Sequence, residues 1–101
     1  MPAKHFSLDW QNHTLTCQGE FCFSTIEQVH SASMALLKPA TVVKINFSQV
    51  TKCDSSALAL LILWERWAQQ SNTQLEVMQL PKNLLTLANA YRIEDIVKGL
   101  S

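Results

Sequence analysis

An α/β fold is what this sequence predicts, and three observations carry the prediction. After an opening pair of short alternating segments, strand-like and helix-like stretches take turns along the chain in the order β-β-α-β-α-β-α-α. Only two glycines and three prolines punctuate 101 residues, so the connections are short. The composition, 48% hydrophobic and 16% charged, is too apolar for disorder and too polar for a membrane protein. A chain of this length fits one domain, residues 1–101. It buries on the order of 60–70% of the surface its unfolded form exposes, enough to fold without staples. Strand and helix alternation implies parallel neighbours joined by right-handed crossovers. The helices then lie mainly on one face of the sheet, or on the two faces unequally.

Each element has a local reason. Phe6-Ser7-Leu8-Asp9-Trp10 alternates apolar and polar residues, as a half-buried strand does. Gln11-Asn12-His13 reads as a turn, Thr14-Leu15-Thr16-Cys17 alternates again, and Gly19-Glu20 ends a hairpin. Ser24 and Thr25 can cap a helix, with Glu27 placed for a capping box. That helix runs to about Leu37, with Ile26, Val29, Ala32 or Ser33, Leu36 and Leu37 inward, and Pro39 stops it. Thr41 to Phe47, rich in β-branched residues, is a central strand. Ser48 to Cys53 is read as a connection leading to Asp54 and a second helix over about 55–70. Gln74 to Leu80 is the next strand. Pro81 opens a third helix over about 82–90 with Leu84, Leu85, Leu87 and Ala88 inward, and a short helix over 93–98 closes the chain.

Bulk properties exclude several function classes. Eight basic and eight acidic residues cancel, so nothing draws the chain to nucleic acid or anionic lipid as a whole. The three cysteines, Cys17, Cys22 and Cys53, are odd in number and lack a CxxC pair. Free thiols in a reducing compartment are expected rather than a disulfide framework. The Cys17–Cys22 gap has no second pair to complete a zinc site, so no metal or other cofactor is expected. No apolar signal core follows Met1, and the longest apolar run, Ala57 to Trp64, is far short of the roughly 20 residues that span a bilayer. A cytoplasmic placement follows as an expectation. His5, His13 and His30 lie early and apart, and no Ser-His-Asp pattern, glycine-rich phosphate loop or carboxylate pair stands out, so the chain is expected not to be an enzyme.

The informative segment is Asp54-Ser55-Ser56-Ala57-Leu58. Asp54 is placed to accept from the backbone N–H groups of the first turn of the second helix and to complement its dipole. Alone this is ordinary capping chemistry. The helix that follows adds weight. At about 100° per residue from Ser55, Ala57, Leu60, Leu61, Leu63, Trp64, Trp67 and Ala68 fall on one broad arc suited to cover a sheet. Leu58, Ala59 and Ile62 fall opposite, beside Ser55, with Glu65, Arg66, Gln69 and Gln70 further along. The outer face is therefore apolar near its N-terminus, which marks a docking surface unless the short Phe21-Cys22-Phe23 loop covers it.

The run from Lys44 through Phe47, Asp54, Ser55 and Leu58 to Leu61 resembles the signature of STAS domains, the family of anti-anti-sigma factors. There a hydrophobic strand leads through an Asp-Ser/Thr-x-Gly-Leu turn into a helix. The resemblance covers nearly the whole chain in element order. It is nearest to the small STAS subunits of phospholipid-transport ABC systems, whose ends resemble Leu80 to Asp95, with Leu84, Thr86-Leu87-Ala88, Tyr91 and Ile93. It implies a mixed four-stranded sheet with helices packed against it. It places the capping aspartate at Asp54 and the partner-contacting or phosphorylated hydroxyl at Ser55. Ser56 and Ala57 stand where glycines are usual, a change the helix tolerates because alanine is the better helix former.

The resemblance also implies a nucleotide-binding protein as partner. In one reading the partner is the ATPase of a phospholipid-transport ABC complex that maintains outer-membrane lipid asymmetry, at the inner face of the cytoplasmic membrane. In the alternative it is a kinase-like anti-sigma factor, and phosphorylation of Ser55 is the switch. Asp54, Ser55, Ser56, Leu58, Ala59 and Ile62 form the expected contact surface in both. Leu58 and Ile62 beside Ser55 favour a lasting interface over a switch that must release.

Overall fold

The computed structural model describes residues 5–90. Its elements are β1 (Phe6–Gln11), β2 (Thr14–Phe21), α1 (Ile26–Leu36), β3 (Val42–Cys53), α2 (Ser56–Gln70), β4 (Gln74–Met78) and α3 (Lys82–Ala90). The short helix expected over 93–98 lies outside the described residues. The strands form one mixed sheet in the order β1-β2-β3-β4, with β1 and β2 antiparallel and the other two pairs parallel.

The expected hairpin is present. Asn12 and His13 turn the chain with φ of 52° and 57°, the left-handed pair that matches the twist of two-residue hairpins. Register then decides which side chains share a face. Leu15 pairs with Ile45 and Ile45 with Val77, while Val43 pairs with Leu75 and Leu8 with Cys17. Of these, Leu15, Cys17, Val43, Ile45, Leu75 and Val77 are buried. The opposite face carries the rows Gln11–Thr14–Lys44–Glu76 and Asp9–Thr16–Asn46–Met78, none of them buried. Among the described residues only one face of the sheet is covered, and of the two arrangements left open by the sequence these residues show the one-sided one. Because β2, β3 and β4 follow one another in the same direction, right-handed crossovers put α1 and α2 on that one face.

Two strands differ from expectation. β2 continues past Gly19 to Phe21, and β3 continues past Phe47 to Cys53, where a connection was expected. The two extensions pair with each other: Gln18 with Gln49, Gly19 with Val50, Glu20 with Lys52, and Phe21 with Cys53, across two register shifts. Gly19 sits at one of these irregularities with φ of +92°. A Cβ there would overlap the His5 carbonyl oxygen and come within 2.9 Å of Phe6 Cα, so backbone from β1 passes where a side chain would stand.

Helix burial agrees with the wheel in the main. Val29, Ser33 and Leu37 of the α1 region are buried, and so are Ala57, Leu60, Leu61, Trp64 and Ala68 of α2. Phe21, Phe47 and Trp64 form an edge-to-face aromatic row through the core, with ring centroids 5.6 and 6.3 Å apart. The indole N–H of Trp64 donates to Ser33 Oγ at 2.9 Å, and that hydroxyl donates to the His30 carbonyl at 2.8 Å. A buried polar pair is thus satisfied at the contact of α1 and α2.

Three leucines were assigned to the wrong side. Leu58, expected outside, is 4% exposed, while Leu63 and Leu85, expected inside, are 39% and 41% exposed. α2 touches β4, α1 and α3, so its buried arc is not centred on the direction facing the sheet. The helix is rolled so that the Leu58 flank goes in and the Leu63 flank comes out. A wheel built on one helix has no information about neighbours on either side.

Candidate functional site

Two loops meet at one end of the sheet. Phe21 ends β2, Cys53 ends β3, and the two are register partners in a parallel pair. The turn 22–25 before α1 and the Asp54-Ser55 step before α2 therefore lie side by side, at the carboxyl ends of parallel strands, where binding sites gather in open α/β sheets.

Asp54 ties these loops together. Its Oδ1 accepts from the Ser56 N–H at 2.8 Å, and its Oδ2 accepts from the Phe23 N–H at 3.1 Å. The first bond is the capping expected from the sequence, although the helix begins at Ser56, one residue later than expected. The second bond reaches across to the other loop and was not foreseen. Burial alone would raise the Asp54 pKa, but the Phe23 and Ser56 donors, with Lys52 nearby, outweigh it and hold the carboxyl below its usual value.

A depressed carboxyl pKa has a signed consequence. The stability it contributes is fully present above the unfolded-state value, about 3.9, and is lost as pH falls through the lower folded value. The melting temperature of Asp54→Asn should therefore lie below that of the native chain at pH 7. The gap should close as both are melted at successively lower pH through the acid range. A gap that stays constant with pH would show that Asp54 ionisation does not support the fold.

The turn before α1 is fastened from within as well. The Thr25 hydroxyl accepts from the Cys22 N–H at 3.1 Å and donates to the Glu20 carbonyl at 2.8 Å. Thr25 occupies the N-cap position of α1 but makes no capping bond there. Ser24, expected as the start of a capping box, instead pairs its hydroxyl with the Cys22 thiol at 3.3 Å, a contact that lowers the thiol pKa. Cys17, Cys22 and Cys53 are all free.

Of the residues expected to make the contact surface, Ser55 and Ala59 are exposed, and Asp54, Ser56 and Ile62 are half-buried. Ser55, Ala59 and Ile62 share one face of α2, spaced at about one helical turn. The Ser55 hydroxyl makes no capping bond. Leu58 does not belong with them, because it lies in the core. The exposed flank of Leu63 takes its place on the other side of Ala59. The Phe21-Cys22-Phe23 loop does not bury this face. Phe21 and Cys22 turn into the core, whereas Phe23 stands 84% exposed beside Asp54. The sequence reading considered Phe23 only as part of a loop that could cover this face, and did not count it as surface of its own. The available signal was a large aromatic residue in a four-residue turn, next to Ser24 and with no partner position in either flanking element.

Among the described residues no three His, Cys, Asp or Glu side chains come close enough to hold a metal ion. His5, before β1, and His13, in the turn between β1 and β2, are exposed, and His30 of α1 is half-buried. No helix among the described residues is long and apolar enough to cross a membrane.

Comparison with known proteins agrees with this geometry. No curated protein matches the sequence. Among solved structures, the anti-sigma factor antagonist SpoIIAA in its unphosphorylated form has a similar fold. The TM-score is 0.60 at 16% identity, over 83% of this chain and 81% of that one. A family model described as "Mlab, STAS domain" matches residues 5–98. With the match running through the hairpin, the Asp54-Ser55 turn and the helices on either side of it, the chain belongs to the STAS-domain family.

Proposed function

We propose that this chain is a non-catalytic STAS subunit that binds the ATPase of a phospholipid-transport ABC complex and stabilises or regulates it, within a system maintaining outer-membrane lipid asymmetry. The observation that carries the reading is the apolar face of α2, with Ala59, Ile62 and Leu63 beside Ser55. The Mlab description of the matching family supports the choice of partner. Binding to the ATPase would favour its folded, working form by mass action, with no chemistry on this chain. The chain then sits in the cytoplasm and reaches the membrane only through the complex.

A second STAS reading is an antagonist of a kinase-like anti-sigma factor, switched by phosphorylation of Ser55. Its support is the SpoIIAA-like fold and the exposed, uncapped hydroxyl of Ser55. Against it, the apolar side chains Ile62 and Leu63 near Ser55 on α2 suit a lasting interface better than a switch that must release. Affinity purification from the native cell at native expression levels separates the two. The ABC reading expects an ATPase and a membrane permease to come out with the chain, and Ser55 to be unmodified by mass spectrometry. Recovery of a kinase-like protein, with phosphate on Ser55, would replace it by the second reading.

A further inference from the structure

We propose that β1 is a self-association edge: it pairs antiparallel with β1 of a second copy of this chain, so that two four-stranded sheets run on as one. This is independent of the docking reading of α2. β1 is the first strand of the order β1-β2-β3-β4, and among the described residues nothing pairs with its outer side. The His5 carbonyl accepts from the Glu20 N–H at 2.7 Å, and β1 keeps one unbroken antiparallel register with β2 from Phe6 to Gln11. Bonded and non-bonded pairs alternate in such a ladder, so Ser7, Asp9 and Gln11 also aim their backbone groups at β2. The N–H and C=O groups of Phe6, Leu8 and Trp10 therefore point away from the sheet, ready for another strand. Edges are ordinarily blunted by lysine, proline, a bulge or an inward charge. β1 has none of these, and its one charged residue, Asp9, stands on the open face.

The strand itself selects a second copy as the occupant. Phe6, Leu8 and Trp10 are evenly spaced about Leu8, all half-buried on the helix-covered face. A two-fold axis through Leu8 sets Leu8 opposite its counterpart and Phe6 opposite the second copy's Trp10. Every pair across the new seam then joins residues with free, outward backbone groups, so the ladder closes with each of those groups bonded. On the other face Ser7 meets the second copy's Asp9, and no two like charges lie directly opposite. The chain carries eight basic and eight acidic residues, so two copies meet without net repulsion. There is room for the side chains as well. An apolar groove of about 360 Å³ lies along the edge between β1 and α1, lined by Phe6, Ser7, Leu8, Ala32, Ala35 and Leu36. The register brings the second copy's Trp10 to Phe6, at the wall of this groove. The same operation covers both grooves, as a closed two-fold dimer requires.

The test uses the full chain. Sedimentation equilibrium over a concentration series should show monomer in exchange with dimer. Ala35→Arg, at an exposed position of α1, puts a charged side chain into the groove. It should weaken dimerisation by roughly tenfold or more with an unchanged melt. Cross-linking under a thiol oxidant reads the register. Ser7→Cys and Asp9→Cys alter residues on the open face, where their neighbours on β2 are Gln18 and Thr16. In the proposed pairing Ser7 of one copy faces Asp9 of the other with Cα atoms about 4.5 Å apart, within disulfide reach, whereas two Ser7 or two Asp9 positions lie diagonally, about 7–8 Å apart. A mixture of the two variants should therefore yield cross-linked dimer. Each variant alone should yield no more than the native chain with its free Cys17, Cys22 and Cys53. A native chain that stays monomeric throughout the series overturns the proposal. So does cross-linking as strong in one variant alone as in the mixture, which would put the axis away from Leu8. Native dimerisation by an Ala35→Arg preparation that melts normally also overturns it, because the second copy would then not lie along this edge.

Discussion

Replacing Trp64 with alanine should bring the domain close to unfolding. Trp64 is the largest fully buried side chain, its ring meets Phe47 edge-on, and its indole N–H is bonded to Ser33 on α1. Truncating a buried tryptophan typically costs about 3–5 kcal/mol, through lost transfer energy and the cavity left behind. A small domain has only about 5–15 kcal/mol in total. Each kcal/mol moves the melting point of a domain this size by about 4–8 °C, so a drop of more than about 12 °C is expected. Ser33→Ala isolates the polar part of the same contact. It leaves the indole N–H without a partner and should cost about 1–3 kcal/mol. Chemical denaturation of the two variants measures both quantities. A Trp64→Ala variant within about 1 kcal/mol of the native chain would mean that α1 and α2 do not close over this ring.

What the sequence disclosed follows the range of the interactions involved. The hairpin was legible because its cause is local, in two alternating runs joined at Asn12-His13. The α2 face was legible at Ser55, Ala59 and Ile62 because helical geometry fixes their relation whatever surrounds them. The far end of β3 was not legible. Ser48 to Lys52 is polar and looks like a connection, and it becomes strand only because Gln18 to Phe21 offers it a partner across two bulges. Leu58 and Leu63 exchanged sides because of how α2 sits among β4, α1 and α3, which no single-helix pattern encodes. Asp54 was foreseen as a cap, but its second bond spans 31 positions to Phe23 and depends on the register of β2 with β3.

The largest effect on binding is expected from Ile62→Asp. Ile62 lies on the α2 face between Ser55 and the second half of the helix, and it is half-buried rather than core. Folding should therefore lose only about 1 kcal/mol, part of the roughly 1.5–3 kcal/mol that a fully buried isoleucine contributes. Binding should lose several kcal/mol, because a carboxylate forced into a desolvated contact has no partner there. Leu58→Asp is the informative control. As a buried residue it should unfold the domain rather than spare it.

The docking face of α2 is tested most directly by titrating purified Ile62→Asp against the ATPase subunit, with a thermal melt of the same preparation. The expected result is a nearly native melt with affinity reduced at least a hundredfold, equivalent to about 2.7 kcal/mol. Native affinity in a variant that melts normally would contradict the account, since the partner would then have to dock elsewhere.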